Sequence, residues 1–137
     1  MQIAQYKITN EGLIYPELSF KITGVLFSTH NELGRECNEK QYGDAIENRL
    51  KEAGIIYERE KILPPSFQGE VHGRNKVDFL IEGKIILEIK AKRMVTREDY
   101  YQMKRYLHAF DIRLGLLVNF RDQYIKPKRI LNSQGKD

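Results

Sequence analysis

Two short apolar segments, each interrupted by one carboxylate, constrain the fold of this chain most strongly. Asp78 lies within Lys76–Ile81 and Glu88 lies within Ile85–Lys90, with a glycine-containing turn between the two segments. Apolar segments of this length next to turn residues predict two β-strands joined as a hairpin. A carboxylate buried among apolar side chains is costly without a partner, so each acid needs a cation, a lysine or a functional site.

The two acids can serve one site only if the hairpin has the right register. Side chains alternate between the faces of a strand, and directly opposed residues share a face. A two-residue turn would place Asp78 and Glu88 on opposite faces of the sheet. A loop with an odd number of residues, or a bulge, shifts the pairing by one residue, and this odd offset places both acids on one face, together with Lys90. We therefore predict an odd-length loop or a bulge between Leu80 and Ile86.

The same offset would separate the polar from the apolar side chains of the hairpin. The turn at Glu82-Gly83 suits this offset, because Gly83 can supply the left-handed residue of a type I turn with a G1 bulge. The face opposite the acids would then carry Val77, Phe79, Ile81, Ile85, Leu87 and Ile89.

Periodicity and capping signals around the hairpin predict the order α-α-β-β-β-α-β-β. Pro16 suits the start of a first helix that Gly34 ends, and Asn38 with Gln41 forms a capping box for a second helix that ends before Gly54. The other predicted elements are strands at 55–63, 76–81, 85–90 and 114–119, a helix capped at residue 96, and a strand ending near residue 131. This order predicts a single α/β domain over residues 1–137, with a small mixed β-sheet flanked by helices. Residues 1–14 are expected to be irregular, and residues 132–137 are expected to fray.

Composition excludes several classes of protein. Hydrophobic residues make up 41% and charged residues 31% of the 137 residues, which is typical of a globular domain and not of a disordered chain. No apolar stretch approaches the ~20 residues that span a bilayer, so we expect no membrane partner. Cys37 cannot form an intrachain disulfide, and the first ten residues lack the pattern of a signal peptide. We therefore expect a cytoplasmic protein. The sequence is compatible with a homo-oligomer but does not indicate one.

Charge is distributed unevenly along the chain. Residues 1–70 carry 8 basic and 11 acidic side chains, whereas residues 71–137 carry 15 basic and 8 acidic ones. A basic half can bind the phosphates of a nucleic acid, although it can also be a solvated surface. The densest basic stretch, and the predicted contact with a nucleic-acid backbone, comprises Lys92, Arg93, Arg97, Lys104 and Arg105.

The paired acids have the chemistry of a divalent-metal site. Two carboxylates on adjacent strands, Asp78 and Glu88, supply the hard oxygen ligands that Mg²⁺ prefers, and Mn²⁺ is the alternative ion. Such a cation would polarise a phosphoryl group and activate a water, and the ammonium of Lys90 would steady that water or the phosphate. An ordinary ion pair between Glu88 and Lys90 at the strand edge is the alternative.

Three further polar residues extend this site. Glu39 begins the second helix, where an acid is also favoured by the helix dipole. Gln102 and Tyr106 lie four residues apart on one face of the third helix, where they reach a phosphate or simply form an exposed face.

As a set, these residues resemble the PD-(D/E)XK nuclease superfamily. The residues that match are Glu39, Asp78, Glu88-Ile89-Lys90 and Gln102-x-x-x-Tyr106, and the resemblance runs from about Ile14 to Leu131. It is closest to the small bacterial proteins named for a GxxExxY motif. Two positions differ, because Glu36 replaces the glycine of that motif and Val77 replaces the proline of the superfamily label.

The resemblance implies a restriction-endonuclease-like core and hydrolysis of phosphodiester bonds with Mg²⁺ or Mn²⁺. Asp78 and Glu88 would bind the metal with the Ile89 carbonyl as a third ligand, and Glu39 would bind through water or serve a second ion. Lys90 would orient the attacking water. Gln102 and Tyr106 would position the substrate, with DNA favoured over RNA. Two other classes remain open, namely an inactive nuclease fold that binds nucleic acid and a protein-interaction domain whose acids only form ion pairs.

Overall fold

The computed structural model describes residues 14–132. It contains α1 (Pro16–Leu33), α2 (Glu39–Glu52), β1 (Tyr57–Ile62), β2 (Lys76–Ile81), β3 (Ile85–Lys90), α3 (Arg97–Phe110), β4 (Leu114–Asn119) and β5 (Lys128–Leu131). This order confirms the predicted succession of helices and strands, although β1 is shorter than the predicted strand at 55–63. The expectations for residues 1–13 and 133–137 lie outside the described residues. None of the helices in residues 14–132 is long and apolar enough to cross a membrane.

The five strands form one mixed sheet in the order β1-β2-β3-β4-β5. All neighbouring strands are antiparallel except β3 and β4, which are parallel. Parallel neighbours need a crossover connection, and α3 supplies it. The sheet therefore confirms the predicted α/β class with a mixed sheet.

Helices cover both faces of this sheet. On one face, Phe79 and Leu87 pack in a cluster that includes Ile22 of α1 and Ile46 of α2. On the other face, a second cluster includes Met103 and Leu107 of α3 together with Leu80, Ile86 and Leu117. Every residue of β4 is buried, as expected for a central parallel strand.

Local capping fixes where the two helices nearest the hairpin begin. The Asn38 side chain accepts a hydrogen bond from the Gln41 N–H, and the Gln41 side chain accepts one from the Asn38 N–H, both at 2.9 Å. At α3, the Asp99 carboxylate accepts a hydrogen bond from the Thr96 N–H at 2.8 Å. The first box places Glu39 at the N-terminus of α2.

The register of the β2–β3 hairpin confirms the predicted odd offset. Ile81 pairs with Ile85 and Phe79 pairs with Leu87, which leaves a three-residue loop. The predicted turn type was wrong, however. Glu82 and Gly83 both have positive φ angles, 54° and 66°, and the Lys84 N–H donates to the Ile81 carbonyl at 2.9 Å, as in a type I′ turn. This turn type follows the right-handed twist of the strands.

One residue of the predicted apolar face lies elsewhere. Val77 was expected to share a face with Phe79, but it packs in the α3-side cluster with Leu80. The reason is that side-chain alternation breaks at Asp78. The β1–β2 ladder has no pair at this position, and the opposing residue Glu60 has a left-handed φ of 52°.

Candidate active site

Asp78 and Glu88 lie where β2 and β3 stop pairing, a place that we call the fork. The Asp78 N–H donates to Glu88 Oε2 at 2.7 Å, and the Ile89 N–H donates to Asp78 Oδ2 at 2.7 Å. The last paired residues before the fork are Phe79 and Leu87. Beyond them, the two acid side chains replace ladder hydrogen bonds, so both carboxylates are fixed within the sheet.

Burial makes the two carboxylates difficult to ionise together. Glu88 is 5% exposed, and burial followed by the neighbouring Asp78 raises the pKa of Glu88 to about 8. Burial also raises the pKa of Asp78, and Glu39 adds to the effect, whereas Lys90 opposes it. Such a pair, with Glu88 buried and Asp78 half-buried, carries hard oxygen donors and gains from a nearby cation. The donor chemistry of the fork therefore fits a divalent metal ion.

Lys90 approaches the acids from the end of β3, on the face predicted for it. It contributes a favourable charge to both Asp78 and Glu88. Its Nζ lies 3.9 Å from Asp99 Oδ1 on α3, and the Lys92 ammonium forms a closer ion pair with the same carboxylate. Although burial opposes ionisation of Asp99, the hydrogen bond from Lys92 lowers its pKa. Asp99 thus helps to position Lys90.

Glu39 lies at the rim of the site on the α2 side. Its Oε2 accepts a hydrogen bond from the Ala91 N–H at 3.2 Å. It lines a cavity of about 230 Å³ together with Asp78, Ile89 and Glu60. Within residues 14–132, no group of three or more acidic, histidine or cysteine side chains is close enough to share one metal ion. Asp78 and Glu88 are therefore the close pair, and Glu39 is the more distant acid.

Tyr106 approaches the fork from α3. Only 6% of the residue is exposed, and burial followed by the charge of Glu88 raises the pKa of its hydroxyl to about 12. Gln102 lies one turn earlier on the same helix and is half-buried. The structure thus places Tyr106 beside the acids, with Gln102 next to it on α3.

The predicted basic stretch is divided by the fold. Lys92 lies beside Lys90, and Arg93 and Arg97 are exposed between β3 and the first turn of α3. Lys104 lies elsewhere, because its Nζ donates to the Leu131 carbonyl at 2.7 Å. Leu131 pairs with the start of β4, whereas Lys90 pairs with the end of β4, so Lys104 and Lys90 lie at opposite ends of this strand. Arg105 is exposed on α3.

Two residues that sequence reasoning did not assign hold the chain just after Lys90. The side chain of Asn119 accepts from the Lys92 N–H at 3.1 Å and donates to the Lys92 carbonyl at 2.7 Å. The Arg121 guanidinium donates to the Ala91 carbonyl at 3.2 Å. Neither residue lies in a local motif that signals these contacts, because they arise from the pairing of β3 with β4.

Comparison with known proteins agrees with this architecture. A family model described as the PD-(D/E)XK nuclease superfamily matches residues 16–130, and the chain belongs to this superfamily. No match is found among curated proteins or among solved structures. Membership in the smaller GxxExxY group stays a prediction.

Proposed function

We propose that this protein is a divalent-metal-dependent nuclease that hydrolyses phosphodiester bonds in DNA. Its membership in a superfamily of nucleases supports a nucleic-acid substrate. The observation that carries the proposal is the convergence of Asp78, Glu88 and Lys90 at the fork, where both carboxylates are fixed by backbone hydrogen bonds. An ion-pair role alone leaves unexplained why the buried Glu88 lies beside a second, half-buried acid, Asp78.

Asp78 and Glu88 would hold Mg²⁺ or Mn²⁺, with the Ile89 carbonyl as a third ligand. Glu39, on the rim, would bind through water or serve a second ion. When bound, such an ion polarises a phosphoryl oxygen and makes a water more acidic. The donor set of the fork, which consists of oxygen atoms, is the set that these hard cations select.

The other residues of the site would bind and orient the substrate. The Lys90 ammonium has three donors, so it would orient the attacking water and offset charge on the phosphate. Tyr106, with Gln102, would position the scissile phosphate from the α3 side. Lys92, Arg93 and Arg97 would contact the flanking backbone without reading its sequence.

Cleavage assays with matched variants test this proposal. Labelled duplex DNA, single-stranded DNA and RNA of one sequence are incubated with Mg²⁺, Mn²⁺ or EDTA. The wild type should cut DNA only with metal, and Asp78→Asn should not cut. Glu58→Gln is the control, because this exposed acid on β1 forms an ion pair with its neighbour Lys61. Metal-indifferent DNA binding without cleavage would instead support an inactive nucleic-acid-binding module, and no binding would support a protein-interaction domain.

A further inference from the structure

Arg35 and Arg121 are held side by side by a reciprocal pair of hydrogen bonds. Arg35 Nε donates to the Arg121 carbonyl at 3.0 Å, and Arg121 Nε donates to the Arg35 carbonyl at 3.0 Å. Arg35 follows α1, whereas Arg121 follows β4. The fold therefore brings two arginines together from distant parts of the chain, with each guanidinium against the backbone carbonyl of the other residue. We call this pair the arginine clamp.

The clamp lacks an acidic counterpart. Within residues 14–132, neither guanidinium forms an ion pair with a carboxylate. The nearest acids along the chain are Glu36 and Asp122, each adjacent to one arginine, and neither is ion-paired to the clamp. By contrast, Arg49 and Arg59 are each paired with glutamate or aspartate. Two arginines without a carboxylate partner make this part of the surface positive, so the arrangement favours a bound anion.

The clamp also adjoins the active site. A terminal nitrogen of Arg121 donates to the Ala91 carbonyl, and the Ala91 N–H donates to Glu39. Ala91 is the residue directly after Lys90. The clamp therefore lies on the α2 side of the fork, whereas Lys92, which pairs with Asp99, is tied to α3 on the other face of the sheet.

We propose that the arginine clamp binds a backbone phosphate of the nucleic acid, beside the phosphate that is cut. The identity of this anion as nucleic acid rests on the proposed function. Guanidinium groups match the geometry of a phosphate, and their unused N–H donors remain available for it. The substrate would then be held on both sides of the fork, by the clamp and by the basic residues near α3. Such contacts fix the register of the strand and carry no base specificity.

Salt-dependent DNA binding separates this role from a purely structural one. Affinity for a labelled DNA duplex is measured in EDTA by fluorescence anisotropy, at salt concentrations from about 50 to 300 mM, because each phosphate contact adds to the salt dependence. The variants are Arg35→Gln and Arg121→Gln. Lys21→Gln is the control, because this exposed cation lies in the first half of α1, far from the clamp. Single-stranded DNA and RNA of the same sequence are tested in the same way, to show which backbone is bound. Unfolding curves show that each variant is folded.

Each clamp substitution should weaken binding. It should also make the fall of the log association constant with log salt concentration less steep by about 0.9, whereas Lys21→Gln should leave this slope unchanged. Arg121→Gln also loses hydrogen bonds to two backbone carbonyls, so of the two variants it is the one expected to lose more stability. Arg35→Gln loses one exposed hydrogen bond, so a folded Arg35→Gln protein still tests the proposal. Folded clamp variants with the slope of the wild type would overturn the proposal, as would a wild type that binds none of the three probes.

A separate cleavage measurement distinguishes the clamp from the nuclease proposal. When the cleavage rate is measured in Mn²⁺ over a range of DNA concentrations up to saturation, clamp variants should raise KM while keeping kcat within about threefold of the wild type, since uniform binding affects KM alone. A wild type that binds DNA through the clamp but never cuts it would refute the nuclease and leave the clamp intact. Efficient cutting with unchanged binding by the variants would refute only the clamp.

Discussion

The backbone N–H of Asp78 and the carboxylate of Glu88 form a 2.7 Å hydrogen bond across the point where β2 and β3 separate. The return bond, from the Ile89 N–H to Asp78, closes the pair. Each acid therefore acts as a bridge within the sheet as well as a candidate metal ligand. A neutral amide can still accept such a bond but cannot supply an anionic oxygen, so amide variants separate the two roles.

Glu88→Gln should raise the free energy of unfolding at alkaline pH in the absence of metal. Burial, with Asp78 nearby, raises the pKa of Glu88 to about 8 from an ordinary 4.5. Between these values the folded state binds more protons than the unfolded state. The protonated side chain of Glu88 thus contributes fully to the free energy of unfolding below about pH 4.5, and this contribution is lost as the pH rises to about 8. The amide keeps this contribution, which is on the order of a few kcal/mol.

Urea unfolding with EDTA at about pH 5 and pH 9, on either side of the raised pKa of Glu88, measures this effect. The difference between Glu88→Gln and the wild type should be small at the lower pH and large at the higher one. Glu58→Gln serves as the control, because that residue is exposed. A difference that does not grow with pH would show that Glu88 is not a buried, protonated acid.

Binding of Mn²⁺ should displace a proton and tighten as the pH rises. The metal needs ionised carboxylates, whereas the pKa values of Asp78 and Glu88 are raised above their ordinary values. For one displaced proton, affinity should rise about tenfold per pH unit below pH 8. Calorimetry in two buffers of different ionisation enthalpy counts the proton. An affinity for Mn²⁺ that does not change with pH, or that is the same in Asp78→Asn as in the wild type, would argue against metal binding at the fork.

Glu82→Asn should stabilise the protein by roughly 0.5–1 kcal/mol. Glu82 has a left-handed φ of 54°, and asparagine followed by glycine is the preferred pair for a type I′ turn. The matched control is Glu82→Gln, which removes the same charge without the conformational benefit. Thermal unfolding compares the two variants. Equal stability of both would mean that the turn stores no strain at this residue.

Asp99→Asn should lower kcat about 100-fold, because small displacements of a catalytic group are costly. The amide can still accept the hydrogen bond from the Thr96 N–H that caps α3, but it no longer forms an ion pair with Lys90 and Lys92. A positioning role predicts that KM changes little. A comparably large rise in KM together with a loss of stability would indicate a structural role instead.

The alternation and periodicity of side chains were sufficient to predict much of the fold and the hairpin register that brings Asp78 and Glu88 together. The hairpin offset followed from the alternation of acids and apolar residues, and the register confirms it. The turn type escaped prediction, because glutamate at residue 82 gives no signal for a left-handed φ. Val77 was misplaced because the break in alternation at Asp78 depends on Glu60, a residue of another strand.

The outer parts of the site depend on contacts between distant segments. The sequence predicted a helix capped at residue 96 and assigned no role in the site to Asp99, whose contacts with Lys90 and Lys92 exist because α3 packs on the sheet. Arg35 and Arg121 meet because the end of α1 lies beside the residues that follow β4. No local pattern encodes such contacts, so the sequence reveals these residues as charged side chains and the structure reveals their partners.

Single-turnover cleavage by Glu88→Gln is the most direct test of the site at the fork. Labelled duplex DNA is mixed with excess wild type, Glu88→Gln or Glu58→Gln in Mn²⁺, after circular dichroism has shown that all three are folded. We predict that Glu58→Gln cuts like the wild type, whereas Glu88→Gln loses more than about 100-fold in rate, since a lost ligand costs more than a lost outer partner. Undiminished cleavage by folded Glu88→Gln would contradict the assignment of Glu88 to the active site.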